Sequence, residues 1–333
     1  MRDDKEVKTI EKMKKKLYIL GIVLYGSLFL GTAYCVGHNY DDMLPSESQL
    51  GIVPFGPSEN SGDNGIEAED VSKYENISDA APVHVKSAPL PRSFRGTHEN
   101  VITNAKYLNK VFYAIANAEK NVRILHIGDS HIKGNVLPKT LGAQLKDTWG
   151  SETLEGVDPD CSPELDGGIT FNYLGLNGAR TSRFCEDDMM DRIEAYRPDL
   201  VIVSFGTNEA HGNYDVAAHR RTLETLLSAI RRKCPGVVFL LTTPPGSYLR
   251  GVPNPHLDEA AQMLLQYGSE HNIAVWDVFG IGGGADFACK NWQMANLMQA
   301  DRIHFTYQGY ELQGQLFAEA ILKAYNQYLA GKQ

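Results

Sequence analysis

Neither a CxxC pair nor an HExxH helix occurs in the 333 residues. Structural zinc needs closely spaced thiolates or imidazoles, and a zinc peptidase needs two histidines one helical turn apart, so no metal is expected. No cofactor is expected either. The glycine-rich GIGGGADF, residues 280–287, lacks the strand–GxGxxG–helix setting of a nucleotide site and reads as a flexible loop. Basic residues are in deficit, with 32 Lys and Arg against 41 Asp and Glu, a formal net charge of −9. A nucleic-acid partner requires a basic face and is therefore not expected. Cysteine is scarce, at 5 residues. Cys161, Cys185, Cys234 and Cys289 allow either disulfide pairing in an oxidising compartment or buried free thiols, and their spacing does not choose.

Charge is also missing locally. Residues 1–16 form a basic segment with seven Lys or Arg, and residues 17–37, LYILGIVLYGSLFLGTAYCVG, carry no charge at all. At about 1.5 Å per residue such a run spans a hydrocarbon core of about 30 Å, and the preceding lysines favour a cytoplasmic amino end. A single-pass signal anchor is expected at 17–37, with cleavage after Gly31-Thr32-Ala33 as the competing reading. Residues 38–98 are rich in Pro, Ser, Gly, Asn and acids and show no sustained period, so a flexible linker is expected there, with a short edge strand at Val83–Val85 still open.

From residue 99 to 333 the pattern is that of one domain. Short apolar runs (NVRILHI, ITFNYLGL, DLVIVSF, VVFLLTT, IAVWDV) alternate with segments of helical period such as VLPKTLGAQLKDTW, DVAAHRRTLETLLSAIRRK and HLDEAAQMLLQYGSEH. Strands that are apolar on both faces, separated by helices, predict a mostly parallel sheet covered on both sides. The last helix is expected from Tyr307 to Leu329. SETLEGVDPDCSPELDGG, residues 151–168, reads as a loop or a cap over the pocket.

In such sheets reactive groups collect beyond the carboxyl ends of the strands. Those ends carry Gly128-Asp129-Ser130-His131, Asn177-Gly178-Ala179-Arg180 and Gly206-Thr207-Asn208-Glu209. A serine hydroxyl needs a base and oxyanion donors before it attacks a carbonyl. Asp301-Arg302-Ile303-His304 supplies a carboxylate and an imidazole three residues apart, close enough for the acid to orient the base. Asp277, ending IAVWDV, is a rival acid. The GxSxG elbow of α/β-hydrolases is absent, because Ile132 stands where its second glycine belongs. His126 is expected in the core. His131, Arg180 and Glu209 are candidate substrate-binding residues, with Arg180 suited to a carboxylate. Tyr173, Tyr307 and Trp292 could stack on a sugar, with core packing as the default.

Taken together, Gly128-Asp129-Ser130, Gly178, Gly206-Thr207-Asn208 and Asp301-Arg302-Ile303-His304 resemble, in order, the conserved blocks of the SGNH hydrolases, or GDSL-type esterases. The resemblance spans about residues 120–325. It implies a flavodoxin-like three-layer α/β sandwich, Ser130 as nucleophile, His304 as base and Asp301 as its orienting acid. It further implies an oxyanion hole made by the Ser130 and Gly178 N–H groups and the Asn208 amide. His131 in place of the usual leucine is similar to the branch holding peptidoglycan O-acetylesterases and related cell-wall acetyl-transfer enzymes. An O-acetylesterase acting on a bacterial envelope glycan is thus expected, anchored in the inner membrane and facing the periplasm. The alternatives are an O-acetyltransferase, which would need an acyl-transporting membrane partner, and a lipid-active esterase.

Overall fold

The computed structural model describes residues 71–74, 80–155 and 167–331. The expected basic segment, the anchor at 17–37, most of the linker and Cys161 lie outside the described residues. Among the described residues no helix is long and apolar enough to cross a membrane.

The strands are β1 (Ile102–Thr103), β2 (Val122–Gly128), β3 (Ser151–Glu155), β4 (Ile169–Gly175), β5 (Leu200–Ser204), β6 (Val238–Thr242), the hairpin β7 (Tyr248–Leu249) and β8 (Val252–Pro253), and β9 (Ala274–Trp276). The helices are α1 (Asn109–Ala116), α2 (Ser130–Lys133), α3 (Val136–Trp149), α4 (Asp187–Tyr196), α5 (Thr207–Ala210), α6 (Val216–Lys233), α7 (His256–Glu270), α8 (Val278–Ile281), α9 (Gly284–Met294) and α10 (Tyr307–Leu329). The main sheet runs β1-β9-β6-β5-β2-β4-β3. All its pairs are parallel except β1 with β9.

Alternation along each strand builds two cores. Ile124, Ile202 and Leu240 face one side, where Phe112, Leu141 and Phe317 cover them. Leu125, Val201, Val203, Phe239 and Leu241 face the other, against Ile193, Leu227 and Leu264. Period-2 side chains thus make a sheet that is apolar on both faces, which only a helical layer on each side can bury. The result is the expected three-layer α/β sandwich.

After β2 the chain first builds outward to β3 and β4, then crosses to β5 on the opposite side of β2. The carboxyl ends of β4, β2 and β5 therefore open a crevice at the point where the winding reverses.

Three expectations are corrected. Residues 80–98 are not a free linker: Ala88 is buried, and Val83, Val85, Leu90 and Phe94 pack on the first core. Val83 forms no edge strand; its N–H donates to Asn326 Oδ1 (2.8 Å) and its carbonyl accepts from Asn326 Nδ2 (2.9 Å). Residues 151–155 of the expected loop form β3, parallel to β4. The glycine-rich 280–287 is no loop but the junction of α8 and α9, with Gly283 before the second helix at φ +115°. The described cysteines, Cys185, Cys234 and Cys289, are free thiols.

Candidate active site

Ser130 opens α2 directly after β2. Gly128 makes this turn possible, because a Cβ there would meet Ile132 Cγ1 at 2.4 Å and the Ser204 carbonyl at 2.7 Å. Asp129 caps the helix, its Oδ1 accepting from the His131 N–H at 2.9 Å. Ser130 is left half-buried, its hydroxyl at the mouth of the crevice.

The candidate base, His304, comes from a turn before α10. Asp301 Oδ1 accepts from the Ile303 N–H (2.9 Å) and the His304 N–H (3.0 Å), while Arg302 between them takes the left-handed conformation, φ +56°. This Asx-type turn leaves Oδ2 for His304 Nδ1 at 2.7 Å. His304 Nε2 then lies 2.8 Å from Ser130 Oγ. The Asp-x-x-His spacing works because one carboxylate oxygen fixes the backbone while the other fixes the ring. Burial tends to raise Asp301. The hydrogen bonds from the His304 ring and from the Ile303 and His304 N–H groups outweigh it, holding the carboxyl below its ordinary range.

Residues that sequence reasoning missed clamp this turn. Gln299 N–H donates to the His304 carbonyl (2.8 Å), and its side-chain amide to the Phe305 carbonyl (2.9 Å). Tyr248 N–H donates to the Arg302 carbonyl (2.9 Å), and the Arg302 guanidinium lies 5.4 Å over the Tyr248 ring. His211 was also missed. It is half-buried, with Nε2 3.1 Å from Ser247 Oγ, and burial followed by repulsion from His304 pushes its pKa down. None of these has a recognisable local sequence signature, and Tyr248 and His211 act across distant segments.

The oxyanion candidates gather on the other side of Ser130. Gly178 sits at φ +66° with nothing within 4 Å of a Cβ position, so it presents its N–H from a left-handed turn. Among the described residues neither the Ser130 N–H nor the Gly178 N–H has a protein acceptor. Asn208 differs from the expectation. Its Nδ2 donates to the Ala179 carbonyl (3.0 Å) and to Asp129 Oδ2 (3.2 Å), so it reaches an oxyanion only by giving up the longer contact. Burial pushes Asp129 up to about 8, which leaves the carboxyl uncharged at neutral pH and removes a repulsive charge from beside the hole.

The other candidates fall elsewhere. His131 is buried behind the site rather than facing substrate. Its Nδ1 meets the Tyr310 hydroxyl (2.9 Å) and its ring lies 5.4 Å from that of His304. Burial, reinforced by His304, lowers it to about 3, so the ring is neutral. Glu209 is a tie between loops, not a substrate ligand: Oε1 accepts from the Thr181 N–H and hydroxyl (2.7 and 2.8 Å), and Oε2 from the Gly206 N–H (3.0 Å). Arg180 is exposed beside Gly178 and reaches the His211 carbonyl at 3.5 Å. Asp277 caps α8 and accepts from Thr243, away from His304. His126 is in the core, its Nε2 2.7 Å from Ser204 Oγ. Tyr173 and Trp292 are buried, whereas Tyr307 is exposed. No cluster suited to a metal ion occurs among the described residues.

A family model described as the GDSL-like lipase/acylhydrolase family matches residues 126–312. No curated protein matches the chain. Among solved structures, one described as a peptidoglycan O-acetylesterase in action is 19% identical, with 66% of this chain and 95% of that chain covered and a TM-score of 0.56. A GDSL-like lipase from Bacteroides thetaiotaomicron is 17% identical, covering 66% and 99%, with a TM-score of 0.45. A catalytic mutant of an acetylxylan esterase from Geobacillus stearothermophilus is 17% identical, covering 61% and 94%, with a TM-score of 0.43. The match to more than half of the chain, on a sheet whose strand ends carry these blocks, makes this protein a member of the GDSL-like lipase/acylhydrolase family, an SGNH-type carboxylic ester hydrolase.

Proposed function

We propose that the protein removes O-acetyl groups from a bacterial envelope glycan of the peptidoglycan type, through an acetyl-Ser130 intermediate. The observation that carries the chemistry is the continuous chain Ser130 Oγ–His304 Nε2 (2.8 Å) and His304 Nδ1–Asp301 Oδ2 (2.7 Å). As Ser130 Oγ attacks the acetyl carbonyl carbon, its proton passes to His304 Nε2. The carbonyl oxygen becomes an oxyanion facing the Ser130 and Gly178 N–H groups. His304 next protonates the sugar oxygen, and the C–O bond breaks. A water then loses its proton to His304 and attacks the acetyl-serine; acetate departs and Ser130 regains its proton.

Hydrolysis is favoured over transfer to a sugar because the site is wet: the His304 side chain is 33% exposed and that of Asp301 44%. The glycan class rests on the likeness to the peptidoglycan O-acetylesterase together with the apolar run at 17–37, which would hold the domain at the outer face of the inner membrane.

The test is acetate release from O-acetylated peptidoglycan by the full chain and by Ser130→Ala, with fluorophosphonate labelling of both. Release and labelling by the wild type, both lost in Ser130→Ala, are expected. Labelling without release from the glycan would overturn the substrate class. Release that persists in Ser130→Ala would overturn the mechanism.

A further inference from the structure

In the reaction above, the acyl oxygen faces the oxyanion donors and the leaving alcohol faces His304. The oxyanion donors come from the ends of β2 and β4. The proton for the leaving oxygen comes from His304 Nε2, so the alcohol must come within hydrogen-bond reach of that ring. If the alcohol is one sugar of a polymer, its neighbouring sugars must lie across the turn that carries His304. The composition of that face is therefore a statement about the substrate.

Among the described residues four large apolar side chains are exposed: Val216, Val252 (58%), Met294 (72%) and Tyr307 (61%). Three of the four sit on segments tied to the His304 turn. Met294 ends α9, and just beyond it the Leu297 carbonyl accepts the Thr306 N–H at 2.9 Å. Tyr307 follows Thr306 and opens α10. Val252 lies on the β7–β8 hairpin, whose Tyr248 binds the Arg302 carbonyl through its N–H and Gln293 through its hydroxyl. Arg302 itself is exposed, and no carboxylate pairs with it among the described residues. Exposed apolar groups scattered singly need no explanation, but three of four on segments bonded to a turn that itself carries an exposed arginine do.

We propose that Tyr307, Met294, Val252 and Arg302 form a subsite for the polysaccharide chain on the leaving-alcohol side of the catalytic centre. Sugar rings present apolar C–H faces, which Tyr307 and Met294 cover while the ring hydroxyls stay in water. Arg302 receives a carboxylate of the glycan or its substituents, held flat by the Tyr248 ring beneath it. The proposal rests on the glycan O-acetylesterase reading and names how that substrate is gripped. A lone acetyl ester too small to reach the rim would gain nothing from it.

The experiment compares two substrates of the full chain, O-acetylated peptidoglycan and 4-nitrophenyl acetate. For Tyr307→Ala and for Arg302→Ala, KM on the polymer is expected to rise about tenfold or more. On the small ester kcat/KM should fall at least tenfold less than on the polymer. Tyr307→Phe keeps the ring and should restore polymer binding. Val216→Ala, exposed on α6 and on no segment bonded to the His304 turn among the described residues, serves as the control and should alter neither substrate. Parallel losses on both substrates would mean that the residues only support the turn, and would overturn the subsite. No loss on either would overturn it as well. A wild type that cleaves the small ester but releases acetate from no glycan would instead overturn the reading on which the subsite rests.

Discussion

One carboxylate does two jobs at the His304 turn, and they can be separated. In Asp301→Asn the side-chain oxygen still accepts from the Ile303 and His304 N–H groups, as Oδ1 does now. The amide nitrogen then faces His304 Nδ1 where Oδ2 stood at 2.7 Å. An amide donates, so Nδ1 must accept, and the ring proton moves to Nε2. The ring then cannot take the Ser130 proton. We expect kcat to fall by about 10⁴, the size of effect seen when an orienting acid of this kind is neutralised. The melting temperature should hold, because the cap survives. Asp301→Ala should lose both, since it removes the cap as well. Steady-state kinetics with thermal melts of the two variants check this, and an Asp301→Asn protein with more than a tenth of wild-type kcat would remove Asp301 from the role.

The elements joined to this turn extend farther along the chain than composition suggests. Residues 80–98 look like linker because Pro, Ser and charged residues break any period, yet their hydrogen bonds to side chains of α9 and α10 span 196 to 243 positions. The Ala88 N–H donates to the buried Glu319 carboxylate (3.0 Å), which also pairs with Lys323 (2.9 Å). Phe94 sits edge-on to Trp292, Trp292 edge-on to Phe305, and Phe305 against His131, the ring behind His304. This packing path implies that a fragment beginning at residue 99 loses activity as well as stability relative to one beginning at residue 71. Asn326→Ala, which cuts both bonds to Val83 in the intact chain, should cost about 1–3 kcal/mol in urea unfolding. Equal midpoints and rates for the two fragments would show that the segment is an ornament. The same contrast explains what was legible in the sequence. Ser130, Gly178, Asp301 and His304 could be read because each is placed by a local device: a strand end, a left-handed turn, an Asx turn. The main-sheet strands other than β1 and β3 could be read from their apolar runs. The strap at 80–98, the clamps Gln299 and Tyr248, and the burial of His131 could not, because each depends on a partner that no local pattern names.

Over the whole molecule, buried titratable groups of opposite tendency should give the stability a maximum in pH. Burial pushes His126 and His131 down to about 3 and also lowers His211 and His219, whereas it pushes Asp129 up to about 8. Unfolding returns the histidines to about 6.5 and the aspartate to about 3.9. Between pH 8 and 6.5 the folded state holds the Asp129 proton that the unfolded chain has released. Asp129 therefore adds stability as pH falls through this window. Below 6.5 the unfolded chain binds protons at the histidines that the folded state refuses. Each such group removes up to about 1.4 kcal/mol per pH unit, while Asp129 still returns a like amount down to about 4. Two deeply buried histidines against one aspartate leave a net loss of about 1.4 kcal/mol per unit on acidification, increased by His211 and His219. Urea midpoints measured from pH 8 to 4 should therefore peak between about 6 and 7. Asp129→Asn should erase the decline on the alkaline side and leave the acid limb in place, since the amide carries no proton to lose. A wild-type midpoint that climbs steadily to pH 8 would mean that Asp129 is ionised in the fold, and the oxyanion would then form beside a negative charge rather than a neutral acid.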